Sequence, residues 1–207
     1  MKNFNQNKKM VDFWEDVHKK KRVRYLSPNR PDFNIKILEI EQLLLKDITY
    51  LEVGIGQGSL LKEINKKTKN CYAVDISKTS LMLSKKYIKR GWLNTELFNL
   101  PHNFFDLITC LLVFQHIDDK ELKNHLYHII PSLKTDGIYA CQFAFGLNDY
   151  EIFNNKYFCE EQLQKGLSFR TLDKMVNLIQ IFNGKITIKG FHKFENIGWY
   201  ILHISKK

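Results

Sequence analysis

Apolar positions recur at helical spacing from the first residues onward. In KMVDFWEDVHKK (9–20), Met10, Phe13, Trp14 and Val17 fall on one face, which predicts a short amphipathic helix. Pro28 and Pro31 then enforce a non-helical passage. Across 33–46 the stripe built on Ile37, Ile40 and Leu44 predicts a second helix. ITYLEV (48–53) is an apolar run of strand length that leads directly into GIGQG. From there the pattern alternates. Helices are predicted over 58–67, 78–90 and 119–132, and a further one from the cap Thr171 to 182. Strands are predicted over 71–76, 95–98, 105–111, 137–144, 185–191 and 197–205, with a turn around His192–Asn196 joining the last two. This rhythm implies an α/β fold with a mostly parallel sheet and helices on both faces. No helix separates the final two strands, so one of them must run antiparallel. The stretch 146–169 is the one long irregular insertion, and its aromatics (Tyr150, Phe153, Tyr157, Phe158, Phe169) either line a pocket or anchor a loop.

A chain of 207 residues holds one domain with a full core. The opening MKNFNQNKK has no apolar run behind it, so no signal peptide is expected, and runs such as LLVF (111–114) are too short to span a bilayer. Cys71, Cys110, Cys141 and Cys159 share no CxxC spacing, which argues against zinc and dithiol redox sites and for a reducing, cytoplasmic compartment. The net charge of +10 sits at the ends. Residues 1–30 carry nine Lys/Arg against three acids, residues 185–207 carry five against one, and the middle is neutral. Such ends are either solubilising or a nucleic-acid footprint.

The candidate chemistry centres on Leu51-Glu52-Val53-Gly54-Ile55-Gly56-Gln57-Gly58. A strand has to turn sharply into a helix here while keeping its backbone close to a ligand, and glycines permit both. Glu52 at the strand end can reach a cationic centre. The dinucleotide pattern G-x-G-x-x-G is not met, because Ser59 stands where its third glycine belongs. Asp75 follows 21 residues after Gly54, at the end of the next predicted strand, where a carboxylate can accept two hydrogen bonds from a ribose diol. Ile76 can cover a base.

With YLEVGIGQG, AVDIS, LPHNFFDLITCLLVFQHI and the closing WYILHIS, residues 35–205 resemble the class I S-adenosylmethionine-dependent methyltransferase family. The resemblance implies a Rossmann-like, doubly wound sheet of seven strands in the order 3-2-1-4-5-7-6, the last antiparallel. It implies S-adenosylmethionine as cofactor, with Gly54, Gly56 and Gly58 under its methionine part and Asp75 on the ribose hydroxyls. Relatives often carry an acid just after the third strand for the adenine amino group. With that strand read at 95–98, Asn99 is the polar candidate, through its side-chain carbonyl. The organisation expected is an N-terminal helix and lid (1–34) before the cofactor-binding domain (35–207), with Arg22, Arg24 and Tyr25 of the lid facing the acceptor.

Methyl transfer from a sulfonium requires an aligned nucleophile and, for a hydroxyl or protonated amine, a proton acceptor. His116, after the fourth strand in VFQHIDD, is that acceptor or a brace of its loop, with Gln115 beside it toward the substrate. Asp118 and Asp119 precede a helix and read as caps, and Gln142 as structural. The fourth strand lacks the Asn/Asp-Pro-Pro-aromatic motif of amino-directed DNA enzymes, no Pro-Cys pair supplies a thiolate for a cytosine-C5 enzyme, and no acidic cluster suggests a metal. The expected acceptor is a small molecule, anionic if the arginines bind it: a phosphorylated sugar or sugar nucleotide in surface-saccharide or other small-molecule biosynthesis. The alternatives are an RNA methyltransferase and a non-catalytic cofactor-binding partner protein.

Overall fold

The computed structural model describes residues 2–20, 31–44, 47–147, 149–152, 167–194 and 197–207. Its centre is a seven-stranded sheet built from β1 (Tyr50–Val53), β2 (Cys71–Asp75), β3 (Arg90–Leu93), β4 (Phe105–Cys110), β5 (Leu133–Phe145), β8 (Gly184–Phe194) and β9 (Ile197–Lys206). The order is β3-β2-β1-β4-β5-β9-β8. β1 runs parallel to β2 and β4, β2 to β3, and β4 to β5, while β9 is antiparallel to both β5 and β8. This is the order and the antiparallel strand that the resemblance implies. The inner strands are nearly all apolar because helices cover both their faces. Leu51, Val53, Ile108, Tyr139 and Phe143 face α5 (Asp119–Ser132) and α6 (Leu172–Ile181), whose Leu122, Leu126, Met175 and Ile179 complete that core. Tyr50, Leu107, Ala140 and Ile201 face α2 (Pro31–Ile37) and α3 (Ser59–Ile64).

Several elements depart from the sequence expectation. Helix α1 runs over Lys2–Lys19 rather than starting at residue 9. The helix expected over 33–46 ends at Ile37, because Glu39 takes a left-handed φ of 51° and a 3-10 turn follows at Glu41–Leu43. His203 Nε2 contacts the Leu38 carbonyl oxygen at 2.7 Å, holding the broken end against β9. The third strand lies at Arg90–Leu93, and the residues expected to form it belong to a 3-10 turn, Asn94–Asn99. The insertion holds a hairpin, β6 (Tyr150–Ile152) with β7 (Leu167–Phe169). Of its aromatics, Phe169 is an anchor, buried with Ala144 and Trp199. Phe153, Tyr157 and Phe158 lie outside the described residues.

Candidate functional site

The ends of β1, β2 and β4 meet at one edge of the sheet, and the glycine loop turns there. Gly54, Gly56 and Gly58 all have positive φ, at 74°, 52° and 71°. At Gly54 any side chain would collide with Val113 of the loop after β4, and at Gly58 with Ser84 of α4 (Lys78–Ser84). At Gly56 a Cβ would meet nothing within 4 Å, so its backbone faces open space. The loop is thus clamped at both ends and bare in the middle, where a ligand can approach the main chain.

Asp75 organises this loop. Its Oδ1 accepts from the Ser77 N–H (2.8 Å) and its Oδ2 from the Gly56 N–H (3.2 Å). The Ser80 hydroxyl lies within hydrogen-bond reach of both the Gly56 carbonyl oxygen (2.5 Å) and Asp75 Oδ2 (3.2 Å). Burial lifts the Asp75 carboxyl to about 6 in spite of these donors. Glu52 is buried on β1, with its Oε2 3.4 Å from the Tyr50 hydroxyl, which itself pairs with Thr109 Oγ1 at 2.6 Å. Burial raises Glu52 to about 8, and the neighbouring Asp75 charge pushes the same way. Ile76 is half-buried beside Asp75.

Asn99 is exposed, at the far end of the 3-10 turn. With β3 ending at Leu93, the acid that follows the strand is Glu96, whose Oε2 accepts the Leu93 N–H at 2.8 Å. The misplaced strand is what hid it.

His116 ends the 3-10 turn Phe114–His116 after β4, with Nε2 3.2 Å from Gln115 Nε2. The Trp14 ring of α1 meets the imidazole edge to face at 5.1 Å. Gln115 is buried, and its Oε1 has no hydrogen-bond partner among the described residues. Asp118 caps α5, accepting the Glu121 N–H at 2.8 Å, whereas Asp119 binds Arg170 and Lys174 instead. One residue on from Trp14, Glu15 accepts hydrogen bonds from the Ser77 hydroxyl (2.6 Å), the Thr79 hydroxyl (2.5 Å) and the Thr79 N–H (3.2 Å). Helix α1 therefore bridges the loop after β2 and the loop after β4. Sequence periodicity found this helix, but not that Trp14 and Glu15 belong to the site. Arg22, Arg24 and Tyr25 lie outside the described residues.

A family profile described as a methyltransferase domain matches residues 51–141, the span from β1 to β5 that carries the glycine loop, Asp75 and His116. Residues 51–141 thus match a methyltransferase domain, in keeping with the resemblance to class I S-adenosylmethionine-dependent methyltransferases. Over 132 residues the chain is 28% identical to the ubiquinone biosynthesis O-methyltransferase of Coxiella burnetii (strain Dugway 5J108-111), covering 59% of this chain and 54% of that one. The chain thus spans about half the length of the curated relatives it matches. Solved methyltransferases share the fold. Magnesium protoporphyrin IX methyltransferase from Synechocystis PCC 6803, with bound S-adenosylhomocysteine, superposes with a TM-score of 0.70 at 16% identity, covering 98% of this chain and 100% of that one. Haemonchus contortus phosphoethanolamine N-methyltransferase 2, in complex with phosphomonomethylethanolamine and S-adenosylhomocysteine, gives 0.66 at 14% identity over 84% and 53%. Among the described residues no helix is long and apolar enough to cross a membrane.

Proposed function

We propose that this methyltransferase carries a methyl group from S-adenosylmethionine to an oxygen of a small acceptor held beside His116 and the N-terminal helix. The observation that carries this reading is the juxtaposition at one sheet edge. Three left-handed glycines with open space at Gly56, two buried carboxyl groups at Glu52 and Asp75, and a histidine-bearing turn all converge beneath α1.

The residues present fit the cofactor. When bound, S-adenosylmethionine supplies a methyl group already activated on a cationic sulfur. The open backbone at Gly56 admits the methionine part, Asp75 has lone-pair capacity left for the ribose diol, and Glu96 follows β3 on the adenine side. Asp75, ionised at neutral pH, and Glu52, once the arriving cation draws off its proton, give the cleft a negative charge suited to a sulfonium. His116 accepts a proton from the acceptor hydroxyl or braces the turn, and the orphan Oε1 of Gln115 can accept a hydrogen bond from the same substrate. Trp14 and its helix exclude water from this space.

The name of the Coxiella relative supports oxygen as the methylated atom. The phosphorylated ligand of the Haemonchus enzyme supports an anionic acceptor, in keeping with the arginines at 22 and 24. The test is transfer of labelled methyl from S-adenosylmethionine into a metabolite extract, with mass spectrometry of the product. An O-methylated anionic small molecule is the expected product. Labelled tRNA or rRNA, or no labelled product beside intact cofactor binding, would replace this reading with one of the alternatives.

A further inference from the structure

Arg170 is a fully enclosed side chain, 2% exposed, and no sequence motif points to it. Its guanidinium lies against the turn that follows β4. Nη1 donates to the Phe114 carbonyl at 2.7 Å, Nη2 to the Ile117 carbonyl at 2.6 Å, and Nε to Asp119 Oδ1 at 2.9 Å. The two carbonyls bracket Gln115 and His116. The Arg170 main chain is tied as firmly. Its N–H donates to Ala144 O and its carbonyl accepts from the Gly146 N–H, both at 3.1 Å, beside the end of β5. The preceding residue, Phe169, pairs with Tyr150 in the hairpin. One residue therefore grips the end of β5, the hairpin and the segment that carries His116.

Burying a guanidinium is costly, and an apolar side chain of similar volume would fill this space without five N–H groups to satisfy. What only arginine supplies is a planar fork that holds two carbonyl oxygens at a fixed separation. The turn needs such a fork. A 3-10 segment of three residues leaves its terminal carbonyls without helical partners, and buried carbonyls left bare are penalised. Asp119 neutralises the buried charge, and Lys174 joins Asp119 (2.6 Å) to Asp149 (3.1 Å), the residue just before β6 of the hairpin.

We propose that Arg170 is a positioning residue for His116: by clamping the Phe114 and Ile117 carbonyls it fixes where the imidazole stands and couples that position to the hairpin. This rests on the reading of His116 as a group that faces the acceptor.

Histidine side-chain nitrogen spectra of the full chain test it. In Arg170→Met the His116 signals should shift and split into exchanging conformations. Those of His203, held by the Leu38 carbonyl far from this turn, should stay in place. Arg170→Lys, which keeps the charge but lacks the fork, should give an intermediate His116 shift, and it carries the test if the methionine variant fails to fold. In Arg170→Ala, added guanidinium ion should restore the His116 signals. S-adenosylhomocysteine affinity should stay within about threefold of wild type, because Arg170 does not touch the glycine loop. Unmoved His116 signals in a variant whose melting temperature alone falls would overturn the proposal, as would equal shifts of all histidines. The same titration on wild-type protein tests the functional reading separately. A folded wild type that binds no S-adenosylhomocysteine overturns that reading, and the histidine comparison still decides the role of Arg170.

Discussion

Replacing Asp75 with Ala removes the acceptor for the Gly56 and Ser77 N–H groups together with the proposed anchor for the ribose. From the sequence alone Asp75 reads purely as a ligand group whose loss the fold ignores. Its hydrogen bonds argue otherwise, because two backbone donors lose their partner. Asp75→Ala should therefore weaken S-adenosylmethionine binding by about 2–4 kcal/mol in calorimetry. It should also lower the melting temperature of the ligand-free protein by roughly 2–8 °C. An unchanged affinity in a folded variant would remove Asp75 from the cofactor site. His116 allows a sharper separation, since Trp14 packing and the Gln115 contact would suit a brace as well as a base. As a base, His116→Ala should cut turnover about 10²–10⁴-fold and abolish the acid limb of the rate profile, with cofactor affinity retained. As a brace, it should lower stability and raise KM without altering that limb. His116→Asn, which keeps a hydrogen bond but cannot take a proton, decides between them: near-normal turnover leaves alignment alone as the catalytic device.

At the scale of elements, α1 is the piece whose role the sequence concealed. Its apolar stripe was legible, and Val17 is indeed fully buried, but the pattern does not show that Trp14 of that stripe meets His116 or that the polar Glu15 beside it meets Ser77. Burial opposes ionisation of Glu15, yet the hydrogen bonds from Ser77 and Thr79, aided by the Lys19 charge, outweigh it and hold the carboxyl down at about 2. A depressed carboxyl stabilises its contact fully above the ordinary carboxylate range and loses it only as pH falls toward 2, so this latch is set at neutral pH. Glu15→Ala should speed dissociation of S-adenosylhomocysteine about tenfold, the loss of one charge-assisted contact, in stopped-flow measurements. A rate equal to wild type would mean that α1 does not close the cleft. The third strand failed to show for a different reason. Its four residues, Arg-Gly-Trp-Leu, occupy the sheet edge, where Arg90 is exposed and only Trp92 is buried, so no apolar run marks them. Gly91 belongs there because a Cβ would press on Leu81 of α4, a constraint invisible without the helix in place. The alternating TELF that follows imitates a strand, and reading it so drew attention to Asn99 and away from Glu96, the acid that follows β3.

For the whole molecule, the inner strands were legible because burial on both faces leaves an apolar signature that local pattern captures, whereas their order came from the family resemblance. Long-range polar contacts such as Arg170 to Phe114 leave no such signature. The same distribution of buried polar groups shapes the response of the entire fold to pH. Burial pushes His125 down to about 3 and lowers His18 and His203 as well. These histidines stay neutral in the folded chain, so as pH falls below their ordinary value only the unfolded chain binds protons and stability declines. Glu52 works in the opposite direction. Raised to about 8, it keeps its proton when folded and loses it when unfolded, so its contribution is full below the ordinary carboxylate value and disappears as pH rises toward 8. Asp75, raised to about 6, gives up its share earlier. Between the histidine range and pH 8, Glu52 remains the principal group in this set, and ligand-free stability should fall there by at most about 1.4 kcal/mol per pH unit, the value for one proton. The maximum should therefore lie just above the ordinary histidine value, where the unfolded histidines have given up most of their protons and folded Glu52 still keeps its own. Denaturation midpoints across this range should show that decline in the wild type and its loss in Glu52→Gln. S-adenosylmethionine brings a positive charge to the same place and should draw the proton from Glu52. Binding at pH 7 should then release on the order of one proton, read from calorimetry in buffers of different ionisation enthalpy. A release of zero, with the stability decline still present, would show that Glu52 titrates but does not face the cofactor.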